Sequence, residues 1–281
     1  MNMGIADAFD LGWKLAAVMN GYAQPGLLAS YEQERRPVAL TSIERSGVHM
    51  GVHMDMAKIL GDKARDLDTD TEEGKKLRQA IHNHYQVHDG ENTDFGIEMG
   101  YRYKSSVIVP DGSKEPEWTP SKYTPTTWPG SRAPHVYLKD GSAIFDHYGK
   151  YYTLIEFPDG TDRGAALLLK VATEKWVPVK HVVLAGEEHA HAIWERRLVL
   201  VRPDGHVSWR DDKVESPKVA SDIMAAVAGL ETVVSDHKEK VVNGEPRESE
   251  TPYKPETFTS TVGVSTQSTQ FELERMGDFQ V

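Results

Sequence analysis

Between His135 and Gly229 the sequence passes through short apolar runs and turn signals that constrain the chain to a small layered α/β arrangement. His135–Leu138 is a short strand-like run, followed by an Asp140-Gly141 turn. Tyr151–Phe157 then predicts a strand, Thr161–Lys175 a helix and Pro178–Ala185 a second strand. Leu198–Arg202 and His206–Arg210 read as two alternating strands joined by the turn tripeptide Pro203-Asp204-Gly205. Pro217–Gly229 closes as a helix with proline near its start, where the missing N–H costs nothing.

The first part of the chain has a different period. Ile5, Ala8, Leu11, Leu15 and Val18 recur at spacings of three and four, which predicts an amphipathic helix over residues 4–20 with Asn2 as its cap and Asn20-Gly21 as its end. A second helical region runs from about Leu27 to near Leu60, and Pro37 is expected to break or restart it. Glu72 to about Gln86 predicts a short exposed helix. Residues 89–134 are dense in Gly, Pro, Ser and Thr, with a strand expected at Met99–Val109 and a domain boundary near Trp128-Pro129-Gly130. This gives three expected parts: 1–128 largely helical, 129–234 α/β, and 235–281 a disordered tail whose Lys, Glu, Ser, Thr and Pro content cannot offset its ordering entropy. Limited proteolysis is expected to cut within 110–130 and after 235, leaving 130–230 resistant.

Composition removes several function classes. A formal net charge of −11 repels phosphate backbones and anionic membrane surfaces. The chain has no cysteine, so any redox chemistry must come from a bound cofactor. Apolar runs such as Ala165–Leu169 are far shorter than the roughly 20 residues of a membrane span, and the amino terminus lacks a secretory pattern, so a cytoplasmic location is expected.

The segment Met1–Ala8, with Leu11 and Trp13-Lys14-Leu15-Ala16, resembles the helix after the flavin-binding Gly-Asp motif in the para-hydroxybenzoate hydroxylase and phenol hydroxylase family of FAD-dependent aromatic hydroxylases. The similarity continues through Leu27-Leu28, Ser30-Tyr31-Glu32 and Glu34–Ala39. It resumes at Gly100–Tyr103, Pro129–His135 and Leu200–Arg210, covering residues 1 to about 230. The resemblance implies an α/β fold: a helical remnant of a flavin-binding domain, then a thioredoxin-like α/β domain, then the tail. It implies that FAD is contacted by backbone donors of Met1, Asn2, Met3 and Gly4, because a helix amino terminus presents unsatisfied N–H groups and partial positive charge. It also implies NAD(P)H as co-substrate and transfer of one oxygen atom from O2 to an aromatic ring. As partners it implies an aromatic small molecule and either a second copy or an amino-terminal half of the same enzyme.

The chain departs from that pattern in lacking a Gly-x-Gly-x-x-Gly turn. It is therefore expected to begin inside the flavin site, as a truncation, a gene-model fragment or a split subunit, and to purify colourless. No catalytic residue is identifiable. A different class, a non-catalytic thioredoxin-like interaction or dimerisation module with the helix around Ala165–Ala172 as its surface, stays open. No metal site is assigned: His49 and His53 lie four apart with Asp55 nearby but without an evident third ligand, and Glu187–His191 reads as an exposed loop or a helix start. His82 and His84 lie two apart, on different helix faces, His88 falls in an expected loop, and Ser30, Ser46 and Ser208 lack a nucleophile elbow. Trp176, Trp194 and Trp209 are expected to pack the second domain. Ile5, Leu11, Leu15 and Val18, with Met50, Met54, Ile59 and Leu60, are expected to stay partly exposed, as helices built to cover a flavin domain would leave them.

Overall fold

Helix α1 (Asn2–Met19) already includes Asn2, so that residue enters the first turn instead of capping it. The helix ends where the sequence indicates, with Gly21 N–H donating to the Val18 carbonyl at 3.0 Å and Tyr22 N–H to that of Ala17 at 3.2 Å. The computed structural model describes residues 2–88 and 90–230; the expected tail over 235–281 and Met1 lie outside the described residues.

Helix α2 (Pro25–Leu60) runs for 36 residues straight through Pro37, against the expected break. Proline withdraws one donor, the one the Gln33 carbonyl would have received. The turns around it are held by burial of Leu27, Ser30, Glu34, Arg35 and Val38, so tertiary packing outweighs the local defect. A 3-10 turn at Gly61–Asp66 leads to α3 (Glu72–Val87), whose first turn is capped by the Thr71 hydroxyl accepting from Gly74 N–H at 3.1 Å. Two short helices follow, α4 (Gly90–Thr93) and α5 (Phe95–Met99). The strand expected over Met99–Val109 does not form. That stretch makes separate bonds to different neighbours, Tyr103 N–H to the Gly130 carbonyl at 2.9 Å and Val109 N–H to that of Ser208 at 2.8 Å, instead of one ladder.

The remaining elements keep the expected order of strand, helix, strand, hairpin and helix, with one further helix, α7, before the hairpin: β1 (Tyr152–Glu156), α6 (Ala165–Glu174), β2 (Val179–Val183), α7 (Glu188–Trp194), β3 (Leu198–Val201), β4 (Val207–Asp211) and α8 (Pro217–Val227). The strands lie in the order β2-β1-β3-β4, with β1 parallel to β2 and β3 antiparallel to both β1 and β4. This is a mixed four-stranded thioredoxin-like layer. β3 is buried at every position, whereas one-sided alternation was expected, because both faces of the sheet are covered.

One face carries Tyr152, Leu154, Leu198, Leu200 and Trp209 and is packed by α6 and α8; the other carries Ile155, Val199 and Val201 and is packed by Ala190 and Trp194 of α7. The buried residues of α6, including Leu168 and Val171, therefore face the chain's own core. Trp194 and Trp209 are buried as expected. Trp176 is not: it is 83% exposed, with a φ of 60°. It sits at the left-handed position just past α6, its N–H bonded to the Thr173 carbonyl at 3.1 Å, a geometry that turns the side chain away from the layer.

The helical segment and the α/β layer share one core. Trp13, Ala17, Tyr22, Ala23 and Leu27 belong to the same buried cluster as Leu154, Leu200 and Trp209. Gln24 N–H donates to the Ala228 carbonyl at 3.0 Å, and the chains pass so closely there that a Cβ on Gly229 would lie 2.2 Å from Leu27 N. Among the described residues no helix is long and apolar enough to cross a membrane.

Candidate functional site

The buried face of α1 carries Asp10, Trp13, Lys14 and Ala17, at spacings of three, one and three that make a single helical stripe. Two of these four residues are ionisable. Lys14 Nζ donates to Asp10 at 2.8 Å and to Glu34 of α2 at 2.7 Å, and its side chain has no exposed surface. Their third partner comes from the tip of the β3–β4 hairpin. Arg202 donates to both Glu34 oxygens at 2.7 and 2.8 Å, to Asp10 at 3.1 Å, and to Asp204. Trp13 Nε1 also donates to Asp204 at 3.2 Å, with the Arg202 guanidinium 5.0 Å from the Trp13 ring centre.

The turn Pro203-Asp204-Gly205 explains how the hairpin delivers these groups. Gly205 takes a φ of 78°, which a residue with a Cβ adopts at a cost, and its N–H closes the turn onto the Arg202 carbonyl at 2.9 Å. Asp204 then accepts from the His206 N–H at 3.1 Å, fixing its carboxylate beneath Arg202. His206 is buried and stacks on Tyr103 at 4.1 Å. Next to this cluster, Arg35 donates to Asp7 at 2.7 Å and to the Tyr103 hydroxyl at 3.1 Å.

Electrostatics separate the three buried carboxylates. Burial pushes Glu34 up, but Arg202 and Lys14 outweigh it and hold the group below its usual range. Asp204 is likewise held far down against its burial, by Arg202 and His206. Asp10 goes the other way: burial and the neighbouring Asp204 raise it to about 6 despite Arg202 and Lys14. The cluster thus locks α1, α2 and the hairpin together and fixes where the amino terminus of α1 points.

That terminus is where the sequence placed its site. Met1 lies outside the described residues; Asn2 opens the helix, Met3 is half-buried and Gly4 is exposed. The first turn contains no acidic side chain, and a Cβ on Gly4 would meet nothing within 4 Å. Its backbone donors are therefore uncrowded and unopposed by charge, which fits an electron-rich carbonyl edge such as that of a flavin ring. The apolar side of the same helix is open too: Ile5 is 66% exposed, Phe9 and Leu15 are exposed, and Leu11 and Val18 are half-buried. On α2, Met50 and Met54 are exposed and Ile59 and Leu60 half-buried. The expected uncovered stripe is present.

The histidine pairs find protein partners. His53 bonds Glu91 at 2.6 Å and Tyr85 at 3.2 Å, while His49 bonds Asp94 at 3.1 Å. Asp55 pairs with Lys58 at 2.7 Å. Glu187 accepts from Lys139 N–H at 3.1 Å, His189 is exposed, and His191 packs on Phe157. Among the described residues no group of three or more His, Asp or Glu side chains is arranged to hold a metal. Sequence reasoning missed the buried cluster entirely. The only local signal was the stripe of Asp10, Trp13, Lys14 and Ala17, opposite the apolar one.

Two known families match parts of the chain. Residues 1–46 match the FAD binding domain family and residues 126–230 the family of aromatic-ring hydroxylase carboxy-terminal domains. The chain is 47% identical over 238 residues to the FAD-dependent monooxygenase apdD of Emericella nidulans, covering 83% of this chain and 38% of that protein. It is 30% identical to phenol 2-monooxygenase of a Pseudomonas species, over 78% of this chain and 41% of the relative. Among solved structures it resembles RebC soaked with chromopyrrolic acid, at 37% identity and a TM-score of 0.70, over 82% of this chain and 42% of that one. The flavin-dependent monooxygenase PieE in complex with FAD and substrate is similar at 32% identity and a TM-score of 0.69, over 82% of this chain and 44% of that one. The chain thus spans about two fifths of the length of these relatives, and with both its helical segment and its sheet matched it belongs to the family of FAD-dependent aromatic-ring hydroxylases.

Proposed function

We propose that this chain forms the carboxy-terminal portion of an aromatic-ring monooxygenase, in which backbone N–H groups at Met1, Asn2, Met3 and Gly4 receive the pyrimidine carbonyl edge of FAD. The carrying observation is the open, acid-free first turn of α1, held in orientation by the buried Asp10–Lys14–Glu34–Arg202–Asp204 cluster. A bound FAD would supply the redox chemistry that couples NAD(P)H and O2 to transfer of one oxygen atom to an aromatic ring. The residues of this chain position the ring edge, and no catalytic proton donor or base is assigned among them. A few neutral hydrogen bonds at about 1 kcal/mol each cannot hold a dinucleotide, so the rest of the binding must come from an amino-terminal half of the same enzyme. The open side of α1, with Ile5 and Phe9, is the surface such a half would cover. A second copy is the other candidate partner, and the thioredoxin-like layer acting only as an interaction module is the non-catalytic alternative.

A chimera tests this reading. Substituting this chain for the matching carboxy-terminal segment of the Emericella nidulans relative should give a yellow protein with near-stoichiometric flavin, whereas this chain alone should purify colourless and oxidise no NAD(P)H. A folded chimera without flavin, or a yellow isolated chain, refutes it.

A further inference from the structure

Beside the end strand of the sheet, an open groove of about 900 Å3 lies between the end of α6, the start of β2 and the aromatic pair Tyr22 and Tyr151. Those two rings meet edge to face at 5.8 Å between centres, with Tyr22 buried and Tyr151 37% exposed, so the groove has a fixed aromatic floor. Trp176 forms one wall. It is 83% exposed, and its backbone keeps a φ of 60° that glycine would adopt more readily. Core packing gives no reason for that combination, and strain kept at an exposed aromatic points to something outside the chain that uses it. Another wall is β2 itself, which has β1 on one flank and no strand on the other among the described residues. A free strand edge offers backbone N–H and C=O groups to an extended chain.

Charge around the groove is one-sided. Lys180 lines it, and no Asp or Glu does. The Lys180 stem runs so close to Gly149 that a Cβ there would stand 3.8 Å from its Cδ, and the adjoining Lys150 holds its Nζ 5.0 Å from the centre of the Tyr151 ring. Neither lysine has an ion-pair partner among the described residues. The carboxylates close by are engaged elsewhere, Glu156 by His181 at 2.7 Å and Glu174 by Lys170 at 3.9 Å. In a chain of net charge −11, two unpaired lysines beside an aromatic groove stand against the prevailing sign. They also argue against a second copy as the occupant, because symmetric pairing of β2 with itself would gather two Lys150 and two Lys180 side chains with no carboxylate to answer them.

We infer that this groove binds an acidic peptide in extended conformation, added along the free edge of β2, with apolar side chains on Trp176 and Tyr151 and carboxylates on Lys150 and Lys180. Nothing in this binding needs a flavin. Asn20 and Gly21, just past the end of α1, line the groove, so about 25 Å of helix separates it from the first turn of α1.

The full chain, without flavin, is titrated with an amidated octapeptide alternating valine with glutamate and with its neutral counterpart alternating valine with glutamine, reading heat and the 15N-labelled indole N–H resonances. The acidic peptide should bind saturably, about tenfold more tightly than the neutral one, and should weaken as salt is raised. It should shift the Trp176 resonance and leave that of Trp118 in place. Lys150→Gln combined with Lys180→Gln, both at exposed positions, should lower the acidic peptide to the affinity of the neutral one. Trp176→Gly, which suits the local backbone, should weaken both peptides about tenfold while leaving the circular dichroism unchanged. Equal affinity for the two peptides, absence of saturable binding, or an unmoved Trp176 resonance overturns the assignment. So does a dimer in sedimentation that Trp176→Gly dissociates, since a second copy would then occupy the groove. No flavin enters the measurement, so such a failure leaves the monooxygenase reading standing.

Discussion

Arg202→Met removes the one group that touches all three buried carboxylates while keeping a side chain long enough to fill most of the space. The wild-type guanidinium makes two hydrogen bonds to Glu34, one to Asp10 and two to Asp204, with 1% of its side chain exposed. After the substitution, Lys14 is the one cation left at Asp10 and Glu34, Glu34 keeps the Ser105 hydroxyl, and Asp204 keeps the Trp13 and His206 N–H donors. Individual charge-assisted bonds do not add, but breaking a buried ion pair by deleting one partner costs about 3–5 kcal/mol, because the remaining charges stay desolvated. For a folded unit of this size each kcal/mol lowers Tm by about 2–4 °C, so a drop of roughly 10 °C is expected. Thermal unfolding followed by far-ultraviolet circular dichroism gives the number, with tryptophan emission reporting the Trp13 environment. Arg196→Met is the control: its 3.1 Å pair with Asp212 is about a third to a half exposed on each side, and its loss should cost under about 1 kcal/mol. If Arg202→Met also costs under about 1 kcal/mol, the cluster does not hold the hairpin to the helices.

Asp10 should leave a signature in the pH dependence. With its folded value raised from 3.8 to about 6, the folded state binds this proton more tightly than the unfolded chain does, so this group's contribution to stability falls as pH rises through that interval. Asp10→Asn should flatten the slope of the urea midpoint there, and an unchanged slope refutes the assignment. Trp176→Gly should stabilise by about 1 kcal/mol in denaturant titration, since glycine accepts the left-handed backbone that the exposed tryptophan occupies; a loss of stability would mean the ring makes an unseen contact. Gly229→Ala should destabilise by about 2 kcal/mol or more, because its φ of 63° and the 2.2 Å approach to Leu27 N both exclude a methyl group; a neutral effect in the same titration rejects that. A chain nicked by protease within 110–130 should still elute as one species in native buffer, since Trp13, Ala17 and Leu27 remain in the sheet's core; separation of the pieces without denaturant would show that core to be dispensable.

What the sequence made legible depended on how far apart the determining residues lie. The strands β1 to β4, the β3–β4 turn Pro203-Asp204-Gly205 and the start of α8 at Pro217 are set by neighbours within a few residues and were readable, whereas the hydroxyl caps Thr71 and Ser216 went unread. Pro37 misled because burial along α2 overrides a missing donor, and Met99–Val109 misled because its apolar residues serve different neighbours. The site shows the limit most clearly. On α1 the conspicuous period belongs to Ile5, Leu11 and Leu15, which are open or half-open, whereas the buried face holds two charges that would ordinarily be assigned to solvent. Burial of Lys14 and Asp10 becomes favourable only once Glu34 and Arg202 arrive, from 20 and 192 positions away respectively. No window of a few turns contains both halves of that exchange. The amphipathic pattern of α1 therefore reports two surfaces of opposite kind. Its polar face is satisfied within this chain, and its apolar face is the side left exposed.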